Sequence, residues 1–267
     1  MRKFSIYVTP YYSFFSRALY VDVARRWRAG VFVYLLLVLA LSWIPFIVRA
    51  QSSLSKFVRD DAPAVVEQIP PITIERGRVS AAVEQPHFIQ SADTGELFGI
   101  IDTTGRFTSL DDTSAKVLLA RSQLFARKNE TETRVYDLST IQHFYVDGPK
   151  ISKWLGVLET WGAVMLYLLA VVGSYAYRLV QALFYSIIGL AISTSLRSGL
   201  TYGAVLRIVS VAITPAILVK TAVGLTGLTV PVAWGAYFLV AMAYTTFGIS
   251  SNRNEPAEER ALEPIAG

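Results

Sequence analysis

The apolar residues of this chain are gathered into long uncharged runs at both ends, around a polar middle of about a hundred residues. The first run is Val31–Val48 (VFVYLLLVLALSWIPFIV). Four more follow the middle: Leu155–Tyr175, Leu179–Ser195, Ala204–Val223 and Leu228–Ile249. About 20 apolar residues of helix cross a hydrocarbon core, so each run is a candidate span. The runs account for a composition that is 53% hydrophobic and 17% charged, with a mean hydropathy of +0.42. Ordinary soluble domains are about 25% charged. A soluble enzyme, a secreted disulfide scaffold and a disordered chain are excluded. With no cysteine, disulfides, thiolate metal sites and thiol catalysis go as well. The expected fold class is a multi-pass α-helical membrane protein of about five transmembrane helices, with a small β-rich extracytoplasmic domain after the first span.

Charge is segregated too. Residues 1–30 carry Arg2, Lys3, Arg17, Arg25, Arg26 and Arg28 against one acid, Asp22. Cytoplasmic flanks of spans are rich in Lys and Arg, so the N-terminus is expected in the cytoplasm. No basic surface with a recognition element appears, so nucleic acid is not an expected partner. The first run starts thirty residues in and ends at Pro45 and Arg49, which favours an uncleaved anchor over a signal peptide. Only Arg178 separates the second and third runs. A single helix there would reach roughly 60 Å at 1.5 Å per residue, about twice the core, so two spans and a tight turn are expected. Five spans place the C-terminus on the side of the middle domain, with four or six still open. The expected segments are 1–29, 30–49, 50–153, 154–250 and 251–267.

Between Ser13 and Arg28, Phe15, Leu19, Val23 and Trp27 recur on one helical face, with Ser13 as candidate N-cap. The leading expectation is an in-plane helix at the inner leaflet, with Arg17, Arg25, Arg26, Trp27 and Arg28 at the membrane surface. The alternative is packing against the protein's own spans.

The middle alternates short β-rich segments with breakers: Ile72–Glu75, Arg78–Glu84, His87–Gln90, Leu97–Asp102, Phe107–Leu110, Lys116–Ala120, Gln123–Arg127, Arg134–Leu138 and Gln142–Val146. This spacing predicts a small antiparallel sheet domain, with short helical pieces at Ser52–Arg59 and Ser139–Gln142. In Ile101-Asp102-Thr103-Thr104-Gly105, the turn chemistry of Asp and Gly predicts a hairpin. An aspartic dyad would need a second carboxylate motif, and the chain repeats none. His87 and His143 lack metal-ligand spacing. No catalytic, cofactor or metal residue is assigned.

Ionisable groups at membrane depth are functional candidates. Glu159, Arg178, Arg197, Arg207 and Lys220 all fall near span ends, where snorkelling is the simpler account. A Glu159–Arg207 ion pair between spans is geometrically allowed. Pro215 should kink the fourth span, with the Thr214 hydroxyl available to the freed backbone. Such a kink either opens a cavity or is a packing bend.

Tyr12–Pro45, the Ile101–Gly105 segment, and Tyr202–Arg207 running into Ala212–Ala216 together resemble the bacterial DUF1189 family, which is similar to the Yip1-like membrane proteins. The resemblance covers nearly the whole chain and implies an inner-membrane protein with five spans and a periplasmic insert. It brings no catalytic residues. The functional expectation is a non-enzymatic accessory or scaffold subunit of a transport-related membrane complex, contacting partners through its periplasmic domain. A small transporter or lipid-handling protein, with a path beside Pro215, is the alternative. Expected partners are membrane lipids and other subunits or further copies of the chain, without a cofactor.

Overall fold

The computed structural model describes residues 3–91, 95–111, 113–129, 132–228 and 233–253. Its N-terminal helices are α1 (Thr9–Tyr12), α2 (Arg17–Arg26), α3 (Gly30–Lys56) and, after a π-helical turn at Phe57–Asp61, α4 (Ala62–Glu67). Eight strands follow: β1 (Ile72–Glu75), β2 (Arg78–Ala81), β3 (His87–Gln90), β4 (Leu97–Asp102), β5 (Val117–Ala120), β6 (Gln123–Arg127), β7 (Thr133–Asp137) and β8 (His143–Val146). The last helices are α5 (Gly148–Ser195), α6 (Tyr202–Ala212), α7 (Thr214–Thr226) and α8 (Ala233–Ser250). The chain divides into a helical unit, Met1–Val48 with Val164–Gly267, and a β unit, Arg49–Ala163.

Three helical stretches are long and apolar enough to cross a membrane: Gly30–Glu67, Gly148–Ser195 and Tyr202–Thr226. The α5 surface supports that assignment, because Met165, Leu166, Leu168, Leu169 and Val172 are all exposed. So large an exposed apolar surface is unusual on a soluble monomer.

Two expectations for these helices change, and a third observation places the end of α8. The turn at Arg178 is absent: α5 runs unbroken for 48 residues, roughly 72 Å at 1.5 Å per residue. Nothing between Ala176 and Val180 is a helix breaker, and a helix can outrun the bilayer. Next, the helical piece at Ser52–Arg59 is not separate but continues α3 through Pro45 to Lys56 and into the π turn. Finally, the C-terminal end of α8 is packed on α2: the Asn252 amide donates to the carbonyls of Tyr20 (3.4 Å) and Gly248 (2.9 Å). The end of the chain's last described helix therefore lies on the α2 side of the helical unit.

The α2 helix begins at Ser16, whose hydroxyl accepts from the Leu19 N–H (3.3 Å). Ser13, the expected cap, instead closes α1: its N–H reaches the Thr9 carbonyl and its hydroxyl donates to Pro10 O. Arg25 and Arg26 in the last turn of α2 suit the negative end of its dipole. The apolar face of α2 is covered by protein. Leu19, Tyr20, Val23 and Trp27 are fully buried in one core with Val31, Tyr34 and Leu35 of α3, Val205 and Ile208 of α6, and Ile249 of α8. This corrects the expectation of a face inserted in lipid, and it removes Trp27 from the membrane surface. Of that face only Phe15 stays half exposed, while Arg17, Arg25, Arg26 and Arg28 remain on the surface.

The β unit holds two sheets, β2-β1-β8 and β3-β4-β5-β6-β7. Arg76 and Gly77 both take positive φ (48° and 77°), the two-residue turn that joins β1 and β2 into a hairpin. The sheet is not wholly antiparallel, because β4 and β5 pair in parallel. The expected hairpin at Ile101–Gly105 is therefore the start of a crossover. The expected strand at Phe107–Leu110 lies within that crossover, and Ser139–Gln142 is not helical. Strand β4 is covered on both faces: Ile101 packs with Ile72, Ile74 and Val79, and Ile100 with Leu110, Leu118 and Phe125. Alternate residues of a strand point to opposite faces, so one β4 strand feeds two cores.

Candidate functional site

The polar centre of the helical unit is Asp22. Its side chain is 2% exposed. Oδ2 accepts from the Trp27 indole (2.9 Å) and the Lys3 backbone N–H (3.0 Å), and Oδ1 from Arg26 (3.3 Å). This carboxylate ties the N-terminal segment to α2. Among the described residues it is the only acid of the helical unit. A second clamp closes α2 from α6, where Arg207 donates to the Ala24 carbonyl (2.5 Å). That carbonyl belongs to the last turn of α2, which has no intrahelical donor to spare.

The candidates Glu159, Arg207, Thr214 and Pro215 do not form one site. Glu159 of the β unit pairs with Arg59 (2.9 Å), and its carbonyl accepts from Gln51 (2.8 Å). Arg207 serves Ala24, so the Glu159–Arg207 pair that the sequence allowed is replaced by a separate contact for each residue. Pro215 does interrupt its span: α6 ends at Ala212 and α7 starts at Thr214. No cavity opens there, since Ile213, Thr214, Pro215 and Ala216 are buried. The Thr214 hydroxyl meets the Tyr34 hydroxyl of α3 (2.9 Å) rather than the backbone. The bend is a packing device that seats α7 on α3.

Open space lies farther along α7. A cavity of about 330 Å³ is bounded by α3, α5 and α7, with Trp43, Phe46, Ser174, Arg178, Lys220 and Gly224 among its walls. Four of its neutral donors are already committed. Ser42 donates to Val38 O (2.7 Å), Thr221 to Ile217 O (2.9 Å), Ser174 to Val171 O (3.1 Å), and the Trp43 indole to Ser174 (3.0 Å). Besides the Tyr177 hydroxyl, the donors left over are cationic. Arg178 is held by Gln181, which is held in turn by the Tyr185 hydroxyl (2.8 Å). Lys220 is exposed at the rim. A closely fitted glycine shapes one wall, because a Cβ on Gly224 would lie 2.9 Å from the Phe46 ring.

In the β unit, Asp102 is fully buried and organises the crossover. Oδ1 accepts from the Thr104 N–H (2.9 Å) and hydroxyl (2.5 Å), and Oδ2 from the Phe107 N–H (2.7 Å). Burial opposes its ionisation, but these hydrogen bonds outweigh burial and hold the carboxyl below its ordinary value. The stabilisation is therefore present above the unfolded carboxylate pKa, near 4, and is lost as pH falls through the lower folded value. Asp102→Ala should destabilise the β unit by about 2–3 kcal/mol at neutral pH by leaving buried donors unmet. Thermal melts of the full chain from pH 7 to pH 3 should narrow the gap between wild type and variant; a constant gap would contradict the assignment. The histidines do not converge: His87 donates from Nε2 to the Gln68 carbonyl (2.8 Å) on one sheet, and His143 is exposed on the other.

Strand β7 ends the five-stranded sheet, and all five of its residues are exposed, Val135 and Tyr136 included. Sequence reasoning placed this strand but not its edge position. It also treated Asp22 only as a helix-pairing residue and Arg178 and Lys220 only as separate snorkelling cations. The available signal was the scarcity of acids: one carboxylate amid so many uncharged residues needs a dedicated set of donors.

No curated protein matches the chain, and no solved structure does. The family model described as a protein of unknown function, DUF1189, matches residues 10–249, nine-tenths of the chain, and its match carries no Yip1-like label. With its membrane-length helices and inserted β unit, the chain belongs to the DUF1189 family.

Proposed function

We propose that this chain is a non-enzymatic accessory subunit of a bacterial inner-membrane complex, presenting its β unit to a partner on the outer side. In this reading α3, α5, the bent α6–α7 pair and α8 cross the membrane once each. An even count puts both termini on one side and the β unit on the other. Charge supports it: Arg17, Arg25, Arg26, Arg28, Arg197, Arg207 and Arg253 all cluster at the α2 end of the helical unit, as the positive-inside bias requires of a cytoplasmic face.

The observation that carries the partner role is β7. A strand at the end of its sheet with Val135 and Tyr136 exposed is a template for an added strand. Its partner is an extended segment of another envelope protein. The test is a mild-detergent pull-down of tagged protein from its own host, read by mass spectrometry, with wild type and Val135→Glu compared. A stoichiometric partner that the variant loses supports the reading. Recovery of the chain alone, or of a partner the variant retains, overturns it.

A second reading, a lipid-handling protein, is favoured by the cavity between α3, α5 and α7. Its path would then run beside Arg178 and Lys220, one to two turns beyond Pro215.

A further inference from the structure

We infer that the cavity between α3, α5 and α7 is a site for the anionic phosphate head group of a membrane lipid; this rests on the lipid-handling reading above and is independent of the edge-strand role. Charge is the first argument. Arg178 and Lys220 both border the cavity, and the helical unit's one described carboxylate, Asp22, is committed to Trp27, Lys3 and Arg26. Two cations at membrane depth without a counter-ion are costly, and an anionic head group lowers that cost. Chemistry is the second. Ser42, Trp43, Ser174 and Thr221 on the walls are already bonded, so besides the Tyr177 hydroxyl the donors left for a ligand are the guanidinium and the ammonium. They select an anion over a sugar or a zwitterion.

Depth is the third argument. Arg178 lies 17 residues before the end of α5 and Lys220 lies 18 residues after the start of α6. At 1.5 Å per residue Arg178 stands about 26 Å from the end of α5, and Lys220 lines the same cavity beyond the α6–α7 bend. Both cations thus lie on the part of the helical unit away from α2, the outer-leaflet side in the reading proposed above. The occupant is a lipid rather than a free anion because the cavity opens outward between apolar helices, with Tyr177 63% exposed at its rim. Arg178 is also pre-oriented by Gln181 and Tyr185, whereas a purely snorkelling arginine needs no such brace.

The test uses the full chain in vesicles of equal phosphatidylglycerol and phosphatidylcholine, with a photo-crosslinking amino acid in place of Tyr177. The expected adducts are enriched in phosphatidylglycerol by about fivefold over the bulk ratio, the scale of one basic side chain at an anionic surface. Lys220→Gln, an exposed and fold-neutral change, should remove most of the enrichment, and Lys220→Arg should keep it. Adducts at the bulk ratio, or enrichment unchanged in Lys220→Gln, overturn the site. Loss of the phosphatidylglycerol adduct on adding inorganic phosphate overturns the lipid assignment in favour of a free-anion site. None of these outcomes bears on the Val135→Glu pull-down, so the two proposals fail separately.

Discussion

Gly248→Leu is expected to expel α2 from its dock while leaving the β unit folded. A Cβ at position 248 would lie 2.6 Å from the Tyr20 ring and 2.6 Å from Ile208 Cγ2. Neither neighbour can yield. Tyr20 is fully buried with its hydroxyl on the Ser13 carbonyl (2.7 Å), and Ile208 is fully buried in the same core. Overpacking a dense core costs typically 1–3 kcal/mol. Here the clash falls on two elements at once and includes a branched side chain beyond the Cβ, so the cheapest response is for α2 to leave. Hydrogen exchange should show the amides of Arg17–Arg26 losing protection, with those of β1–β8 unchanged. Retained protection in α2 would contradict the packing described.

Trp27→Ala should be the most destabilising truncation in the helical unit. The indole is fully buried, packs edge-to-face on Tyr34 at 5.8 Å, and donates to Asp22. Removing a buried aromatic of this size costs about 3–5 kcal/mol. The lost donor adds to this by leaving a buried carboxylate short of a partner. Trp27→Phe separates the two contributions, since it keeps an aromatic ring without the N–H, and it should cost on the order of 1–3 kcal/mol. The readout is reversible unfolding in mixed detergent, with the order Ala, then Phe, then wild type in rising stability. Equal stability of wild type and Trp27→Phe would show that the hydrogen bond to Asp22 contributes nothing.

Strand positions were largely legible. β1, β3, β4 and β6 have the bounds that β-rich segments between breakers predict, and β1, which buries alternate residues, also writes its period into the sequence. Pairing was not legible: nothing in Leu97–Asp102 or Val117–Ala120 says that they run parallel. The α2 face was visible as a face, but amphipathicity does not distinguish lipid from protein as its cover. The Arg178 turn came from assuming that a helix stops at the bilayer surface. The absence of any breaker between Ala176 and Val180 was the better guide, since helices end at capping or breaking residues. Of the four intramembrane candidates, the sequence presents Arg207 as a snorkelling or paired cation and Thr214 as a hydroxyl for the freed backbone. Their partners, Ala24 and Tyr34, lie 183 and 180 residues away along the chain, beyond any local pattern.

The central claim is that an even number of crossings puts both chain ends on one side of the membrane and the β unit on the other. A chain without cysteine allows each position to be labelled alone. Single replacements Ala18→Cys, Thr140→Cys and Arg253→Cys, all at exposed positions, should be probed in intact cells with a membrane-impermeant maleimide. The account predicts labelling at 140 from outside, and at 18 and 253 only after the membrane is opened. Labelling of 253 from outside along with 140 would restore an odd number of spans and contradict it.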